Sequence, residues 1–412
     1  MPKISIITPT HNTKYLQELW ESIKNQTFKD FEWVIVLNNG AKAELKDFGM
    51  DVRVRILNCP FSLKSVGFLK QYGFLLAKGE LLAEVDHDDL LTPDCLEEVV
   101  KAFEEDKEVG FAYSDNAKLQ DNFKPYNKDF GWVSEPFEWQ GKTLTRMKSF
   151  EPTSHSFAFI WYAPDHIRVW RASVYKALGG HNAGLEVLDD QDLMIRTYLA
   201  TKIKFIDKCL YIYRITGDNT WLARNAKIQS GTVELYNKYA YQLAEREAEL
   251  SQSLKIDLGG AFGKPDGYSS LDLKNGDIEA DLNKKWPLED NSVGVIRAHD
   301  IFEHLADKQF VMSECFRVLK DGGWLMVQVP STDGRGAFQD PTHISYWNSN
   351  CFWYWTRAEQ AKYIYNDKIK FQEFRLEEIF PNKYCQENNI KYAVAYLSAI
   401  KSNKRRPHLI KI

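Results

Sequence analysis

The 412 residues are too many for one ordinary domain, so two are expected, and 44% hydrophobic with 27% charged residues suits a soluble globular chain. A net charge of -4 gives no strong pull toward nucleic acid or membrane, and six widely spaced cysteines with no Cys-x-x-Cys pair imply neither a zinc knuckle nor a disulfide framework and fit a reducing, cytoplasmic setting. No apolar run is long enough to span a bilayer and the first strand begins almost at once, so neither a transmembrane segment nor a signal peptide is expected.

Residues 3–7 read as a strand that ends in Thr8-Pro9-Thr10-His11-Asn12. An amphipathic helix follows, with Leu16, Leu19, Trp20 and Ile23 on one face. Residues 33–37 make a second strand, ending in Asn38-Asn39-Gly40, and residues 52–57 a third. A helix through Val66, Leu69, Lys70 and Phe74 leads by Ala77-Lys78-Gly79-Glu80 to the apolar strand 81–85. Strands alternating with helices imply an α/β fold with a largely parallel sheet.

That last strand closes on Asp86-His87-Asp88-Asp89. Acidic residues at a strand's end are not expected in the core but at the mouth of the sheet, where α/β proteins bind ligands. Asp86 and Asp88, one residue apart, suit a hard divalent ion that keeps positions open for phosphate oxygens. The plainer reading is a solvated loop capping the helix that Thr92 and Pro93 begin.

Residues 131–162 are rich in aromatics: Trp132, Phe137, Trp139, Phe150, Phe157, Phe159, Trp161 and Tyr162. They either stack sugars or bases in an acceptor groove or fill an ordinary core. His155 and His166 read as hydrogen-bonded structural residues. Asp189, Asp190 and Asp192 open a helix, where the macrodipole favours carboxylates. Residues 221–251 read as a polar-faced helical connector, available to either domain or to an oligomer contact.

A second α/β pattern then begins. Strand 254–258 runs into Gly259-Gly260-Ala261-Phe262-Gly263. Strands 268–273, 278–282 and 293–299 follow, carrying Asp272, Asp281 and His299. A helix through Phe310, Val311, Glu314, Cys315, Val318 and Leu319 is expected to stop at Asp321-Gly322-Gly323, before strand 324–330.

The first half resembles a family 2 glycosyltransferase of the GT-A fold. The matching pieces are Ser5 to Asn12, Ala77 to Glu80, Asp86 to Asp89 with Pro93, Gly179-Gly180-His181-Asn182, Asp189 to Leu193 and Tyr211-Ile212-Tyr213-Arg214. The resemblance implies a nucleotide-sugar donor, with Thr8, Pro9 and Asn38 lining its base pocket. By it, Asp86 lies near the ribose or the metal, Asp88 binds the Mn2+ or Mg2+ that bridges the diphosphate, and Lys70 faces that diphosphate. Asp190 falls at the general base, which implies direct displacement with inversion. Two positions depart from the family: Asn38-Asn39 replaces an acidic strand end, and Thr216 stands where a metal-binding histidine is frequent.

The second half resembles a class I S-adenosylmethionine-dependent methyltransferase. The matching pieces are Glu303-His304-Leu305, Arg317 to Gly323, the glycine loop, Trp286 to Ser292 and Gly334 to His343. By the resemblance, Asp257 and Gly259 hold the methionine end of the cofactor, Asp272 its ribose and Asp281 its adenine, with His299 and Asp300 beside the sulfonium. Residues 264–271 are too few for the usual helix and strand, so the first helix is expected to be missing or reduced to a turn. His343 reads as a methyl-transfer base or a loop histidine.

The expected organisation is a GT-A domain at 1–220, a connector at 221–251 and a Rossmann-like methyltransferase domain at 252–412. The expected function is metal-dependent sugar transfer followed by O-methylation of the sugar or acceptor. The acceptor is a glycan or lipid-linked glycan; a nucleobase in DNA is suggested only by the aromatic segment and the basic tail 401–406. The alternative makes the second domain an inactive acceptor-binding or assembly module.

Overall fold

The computed structural model describes residues 1–59, 65–120, 124, 133–217, 219 and 224–402. Trp132, Trp221 and the basic tail beyond Ser402 lie outside the described residues. The chain forms two compact units, Met1–Lys238 and Tyr239–Ile412, and the division falls inside the helix Asn225–Leu250. Among the described residues no helix is long and apolar enough to cross a membrane.

The first unit holds a ten-stranded sheet. Strands β1 (Ile4–Thr10), β2 (Phe31–Leu37), β3 (Val54–Asn58) and β4 (Leu81–Glu84) run parallel in the order β3-β2-β1-β4. All of β2 is buried, as in a strand covered on both faces. The helix Leu16–Lys24 contributes Leu16, Leu19, Trp20 and Ile23 to the core, where Trp20 stacks on Trp33. Here a parallel reading is right.

Beyond β4 the sheet is mixed, which corrects that reading. The remaining strands are β5 (Leu90–Leu91), β6 (Val109–Gln120), β7 (Ser134–Trp139), β8 (Lys142–Met147), β9 (Arg168–Arg171) and β10 (Lys202–Ile215). β9 enters antiparallel between β4 and β6. The hairpin β7-β8 lies antiparallel on β6, and β10 runs parallel to β6. The β4–β9 register sets Arg168 opposite Glu84, so a buried cation meets a buried carboxylate. Part of the aromatic segment is core: Trp139, Phe150 and Phe157 are buried, Phe137, Trp161 and Tyr162 are partly exposed, and Phe159 is 42% exposed.

The second unit is a seven-stranded sheet. Its strands are β11 (Leu254–Leu258), β12 (Ser269–Asp272), β13 (Ile278–Glu279), β14 (Val293–His299), β15 (Leu319–Pro330), β16 (Phe371–Ile379) and β17 (Tyr392–Ala399). The order is β13-β12-β11-β14-β15-β17-β16. The first five are parallel and β17 is antiparallel to both neighbours. Counted from β11, the order 3-2-1-4-5 is that of a doubly wound Rossmann-like sheet. Between β11 and β12 the chain makes only the short turn Gly260–Phe262, as its length requires.

One helix end differs from expectation. The helix Lys308–Val318 stops ahead of the glycines, and β15 runs through them. Leu319 is already extended and pairs with Val293, while Trp324 pairs with Val295. Gly322, at φ +79°, lies in the excess chain of this bulge.

Candidate functional site

The site in the first unit is built around Glu84, the last residue of β4, which is wholly buried. Lys70 Nζ lies 2.7 Å from its carboxylate. His181 Nε2 is at 3.5 Å, His166 Nε2 at 3.6 Å and Arg168 Nη1 at 3.8 Å. Burial alone would raise the Glu84 carboxyl, but Lys70, the two histidines and Arg168 hold it well below its ordinary range. Burial and Arg168 oppose charge on His166; Asp165, Glu84 and Asp86 outweigh them and lift it to about 9.

Lys70 comes from the helix Val66–Leu76, which Ser65 caps by accepting the Phe68 N–H. The helix can approach closely because residue 67 is glycine: a Cβ there would stand 2.8 Å from that of Asp189. Lys70 was expected to face a diphosphate, and the structure turns it inward. It is 7% exposed, and its Nζ also lies 3.6 Å from Asp189. Burial opposes its charge, but Asp189 and Glu84 raise it well above the ordinary lysine value.

The helix Asp189–Ala200 divides its three aspartates among three tasks. Asp189 faces Lys70. Asp192 pairs with Arg196 one turn on, at 2.6 Å, and Arg196 holds the carbonyls of Leu178 and Gly180. Asp190 accepts a hydrogen bond from Arg168 Nη1 at 3.0 Å and keeps 16% of its side chain exposed. Burial pushes the Asp190 carboxyl up; Arg168 and Lys70 outweigh it, and the net shift is downward. It is therefore an ionised carboxylate at the edge of the network.

The acidic loop is braced from β10. Asp89 is buried and accepts from the Tyr211 hydroxyl and the Arg214 backbone N–H, both at 2.7 Å. Arg214 Nε donates to the Asp88 carbonyl at 2.6 Å, and its Nη2 reaches Glu18. Asp89 is thus a strut, while Asp86, with 35% of its side chain exposed, and Asp88 remain at the opening. Burial and the charge of Asp86 raise the Asp88 carboxyl to about 7. A carboxyl held up by burial beside a second carboxylate is a donor set that a divalent cation fits.

Asp86 also lies 4.0 Å from His166 Nε2, and ligand atoms of Glu84, Asp86 and His166 all fall within 4.8 Å of one another. Lys70 already neutralises Glu84, so Asp86 and Asp88 are the better cation ligands. Thr8 lies deeper than expected. Its hydroxyl is wholly buried and accepts the Trp33 indole N–H at 3.0 Å, so its side chain serves the core. Pro9 is partly exposed, and Asn38 is buried just past the end of β2, its N–H bonded to Thr10. Sequence reading misses Glu84, Arg168 and His181 and gives His166 only a structural part. The available signals are a lone acid inside the apolar run 81–85 and the place of His181 in the Gly179-Gly180-His181-Asn182 match.

In the second unit Gly259 turns the chain after β11 at φ +74°, where a side chain would be strained. By the resemblance, Asp257 holds the methionine end of a cofactor. It is instead wholly buried and paired with Arg297 at 2.8 Å, its other oxygen lying beneath Gly260 without a partner. Arg297 Nη2 donates to His299 Nδ1 at 2.9 Å, and His299 Nε2 meets the Tyr241 hydroxyl. Burial and Arg297 push His299 down to about 3, so it is neutral, with Nδ1 accepting and Nε2–H donating. Asp272 stands at the end of β12 and accepts the backbone N–H groups of Ala261 and Leu273. Asp281 is half-buried and holds Asn283 and Lys284. Asp257, Gly259, Asp272 and His299 lie at the C-terminal edge of adjacent parallel strands, the position of ligands in such sheets.

Comparison with known proteins matches both halves. Residues 5–176 fit the model of glycosyl transferase family 2, and residues 241–327 that of a methyltransferase domain. An uncharacterized glycosyltransferase of Methanocaldococcus jannaschii is 32% identical over 242 residues, 55% of this chain and 75% of that relative. A chondroitin synthase of Pasteurella multocida is 26% identical over 226 residues, covering 53% of this chain but 21% of its own length. The chain thus spans about a fifth of this synthase. The crystal structure of S. aureus TarS 1-349 in complex with UDP-GlcNAc aligns at a TM-score of 0.45 and 16% identity, covering 60% of this chain and 71% of that one. The chain belongs to glycosyl transferase family 2, its GT-A-like unit fused to a class I methyltransferase-like domain.

Proposed function

We propose that the first unit transfers a sugar, with inversion, from a nucleotide diphosphate donor to a glycan hydroxyl. The observation that carries this reading is one chain of ion pairs, Asp86-His166-Glu84-Arg168-Asp190, joining the acidic loop to the helix at Asp189–Ala200. Asp190 is ionised and partly open, as a base that takes the acceptor's hydroxyl proton must be. Arg168 orients that carboxylate, and Glu84 fixes Arg168 and Lys70. Asp88 and Asp86 would hold a Mn2+ or Mg2+, which when bound supplies positive charge to the leaving diphosphate. Pro9 and Asn38 flank the place for the base. The relative named for chondroitin synthesis supports a glycan acceptor.

Asp88→Ala is expected to abolish transfer while leaving the melting temperature in place, because this carboxylate is no part of the core. Turnover of nucleotide sugars with Mn2+, measured with and without excess chelator, is the check. Full activity in chelator would overturn the metal assignment.

For the second unit we propose methyl transfer to the sugar or its acceptor, using S-adenosylmethionine, which supplies the methyl group as a sulfonium. Gly259 would turn the chain beneath the ligand's methionine end, and Asp272 would offer a carboxylate to two ribose hydroxyls. Asp281 would serve the adenine, and neutral His299 would put no like charge beside a sulfonium. Asp272→Ala is expected to cost about 1.5–3 kcal/mol of cofactor affinity for each lost charge-assisted hydrogen bond, with sugar transfer unchanged. Calorimetry on the full chain with S-adenosylhomocysteine tests this. No heat at millimolar ligand would leave the domain as an assembly module.

A further inference from the structure

We propose that Glu303, His304 and His343 form a second divalent-metal site, in the methyltransferase-like unit, that presents open positions to two neighbouring hydroxyl oxygens. After β14 the chain turns at Asp300, φ +51°, into the short turn Phe302–His304. Phe302 is wholly buried and anchors the turn. The Glu303 side chain goes inward with it. Glu303 is 2% exposed, and its Oε2 has no hydrogen-bond partner. A buried carboxylate without a partner is costly, and among the described residues no lysine or arginine pairs with this one.

What approaches it is imidazole. The Glu303 carbonyl accepts the N–H groups of Ile344 and Ser345 at 3.0 and 2.9 Å, which ties the segment around residue 343 to the turn. His343 Nε2 then lies 3.9 Å from Glu303 Oε1 and 4.0 Å from Asp340 Oδ2. Its Nδ1 is 2.9 Å from the Ala337 carbonyl. A carbonyl only accepts, so Nδ1 carries the proton and Nε2 turns a lone pair toward Glu303, the arrangement of a metal-binding histidine with its outer partner. His304 packs edge-on to His343, ring centroids 5.0 Å apart, and is tethered through Nδ1 to Thr342.

Ligand atoms of the three residues lie within 4.8 Å of one another. Metal bonds of about 2.0–2.2 Å bring the ligands of one ion to about 3–4 Å, so side-chain shifts of about 1 Å close the site. Two imidazoles and one carboxylate select a first-row transition ion over calcium, and three protein ligands leave positions open. The site follows β14, at the C-terminal edge of the parallel strands, where ligands of such sheets bind. A vicinal diol of a sugar fits two open positions. That last role rests on the methyl-transfer reading; metal binding does not. In this assignment His343 is a ligand and not a base.

The test is a Co2+ titration of the full chain, followed by visible absorption. The wild type is expected to show a saturable band that Asp86→Ala retains. Glu303→Gln and His343→Gln should each weaken that binding at least about tenfold. Broadening of the His304 and His343 imidazole NMR signals by Mn2+ in the unmutated chain gives an independent readout if a variant misfolds. Absence of both band and broadening, or unchanged binding in both variants, overturns the site. Calorimetry with S-adenosylhomocysteine on the same samples separates the two ideas: metal uptake without cofactor heat keeps the site and removes the methyl-transfer role.

Discussion

Asp190→Asn keeps donor affinity and lowers turnover by at least about two orders of magnitude, the scale on which a general base acts. The amide preserves the shape of the carboxylate and the short contact to Arg168, but it cannot take a proton. The geometry makes the variant informative. Asp190 is the aspartate of its helix in direct contact with neither Lys70 nor Arg196, so among the described residues its loss removes one direct ion pair, that with Arg168, and weakens only a longer-range attraction to Lys70. KM for the donor should stay within a few fold while kcat falls. A fall in donor affinity with kcat retained would make Asp190 a binding residue. The base role would then be vacant.

Lys70→Met should destabilise the first unit by about 3–5 kcal/mol, because it strips the nearest counter-charge from a wholly buried Glu84. His181, His166 and Arg168 remain at 3.5–3.8 Å, which argues for the lower end of that range. At roughly 2–4 °C per kcal/mol for a unit of this size, the melting transition falls by about 6–12 °C. Adding Glu84→Leu should recover only part of the loss, since it removes the uncompensated carboxylate but leaves Asp189 without Lys70, and Arg168, His166 and His181 without Glu84. Donor turnover should not recover with it, because Glu84 also fixes Arg168 behind Asp190. A single variant that melts with the wild type would show that Lys70 is not compensating Glu84.

The same network carries a pH dependence. His166 is raised from 6.5 to about 9, so its stabilising share is complete below pH 6.5 and is lost as pH rises toward 9. Glu84 is depressed, so its share is present above its ordinary 4.5 and disappears on acidification through its lowered value. Thermal melts across pH 5 to 9 should therefore show the first unit losing stability on the alkaline side.

The sequence by itself determined much of this molecule. Alternating apolar runs placed β1, β2, β4, β11, β14 and β15, because a strand's burial is written in its own residues. Once those strands are parallel, chain direction alone carries Asp86, Asp88, Asp272 and His299 to one edge of their sheets, so both candidate edges were legible. The short span after Gly263 already required a turn in place of a helix.

The tertiary structure decided what those edges contain. Nothing local announces that β9 runs antiparallel beside β4, yet this register brings Arg168 to Glu84. Lys70 read as an open cation because a helix face cannot reveal which carboxylates the sheet will present to it. Thr8 read as a pocket residue because its partner, Trp33, belongs to the neighbouring strand. His343 and Glu303 meet only through the backbone bonds of Ile344 and Ser345 to the turn after β14. Periodicity is a property of one segment and can be read from it. The partner of a buried charge depends on strand order and register across distant segments, and only the folded chain supplies that.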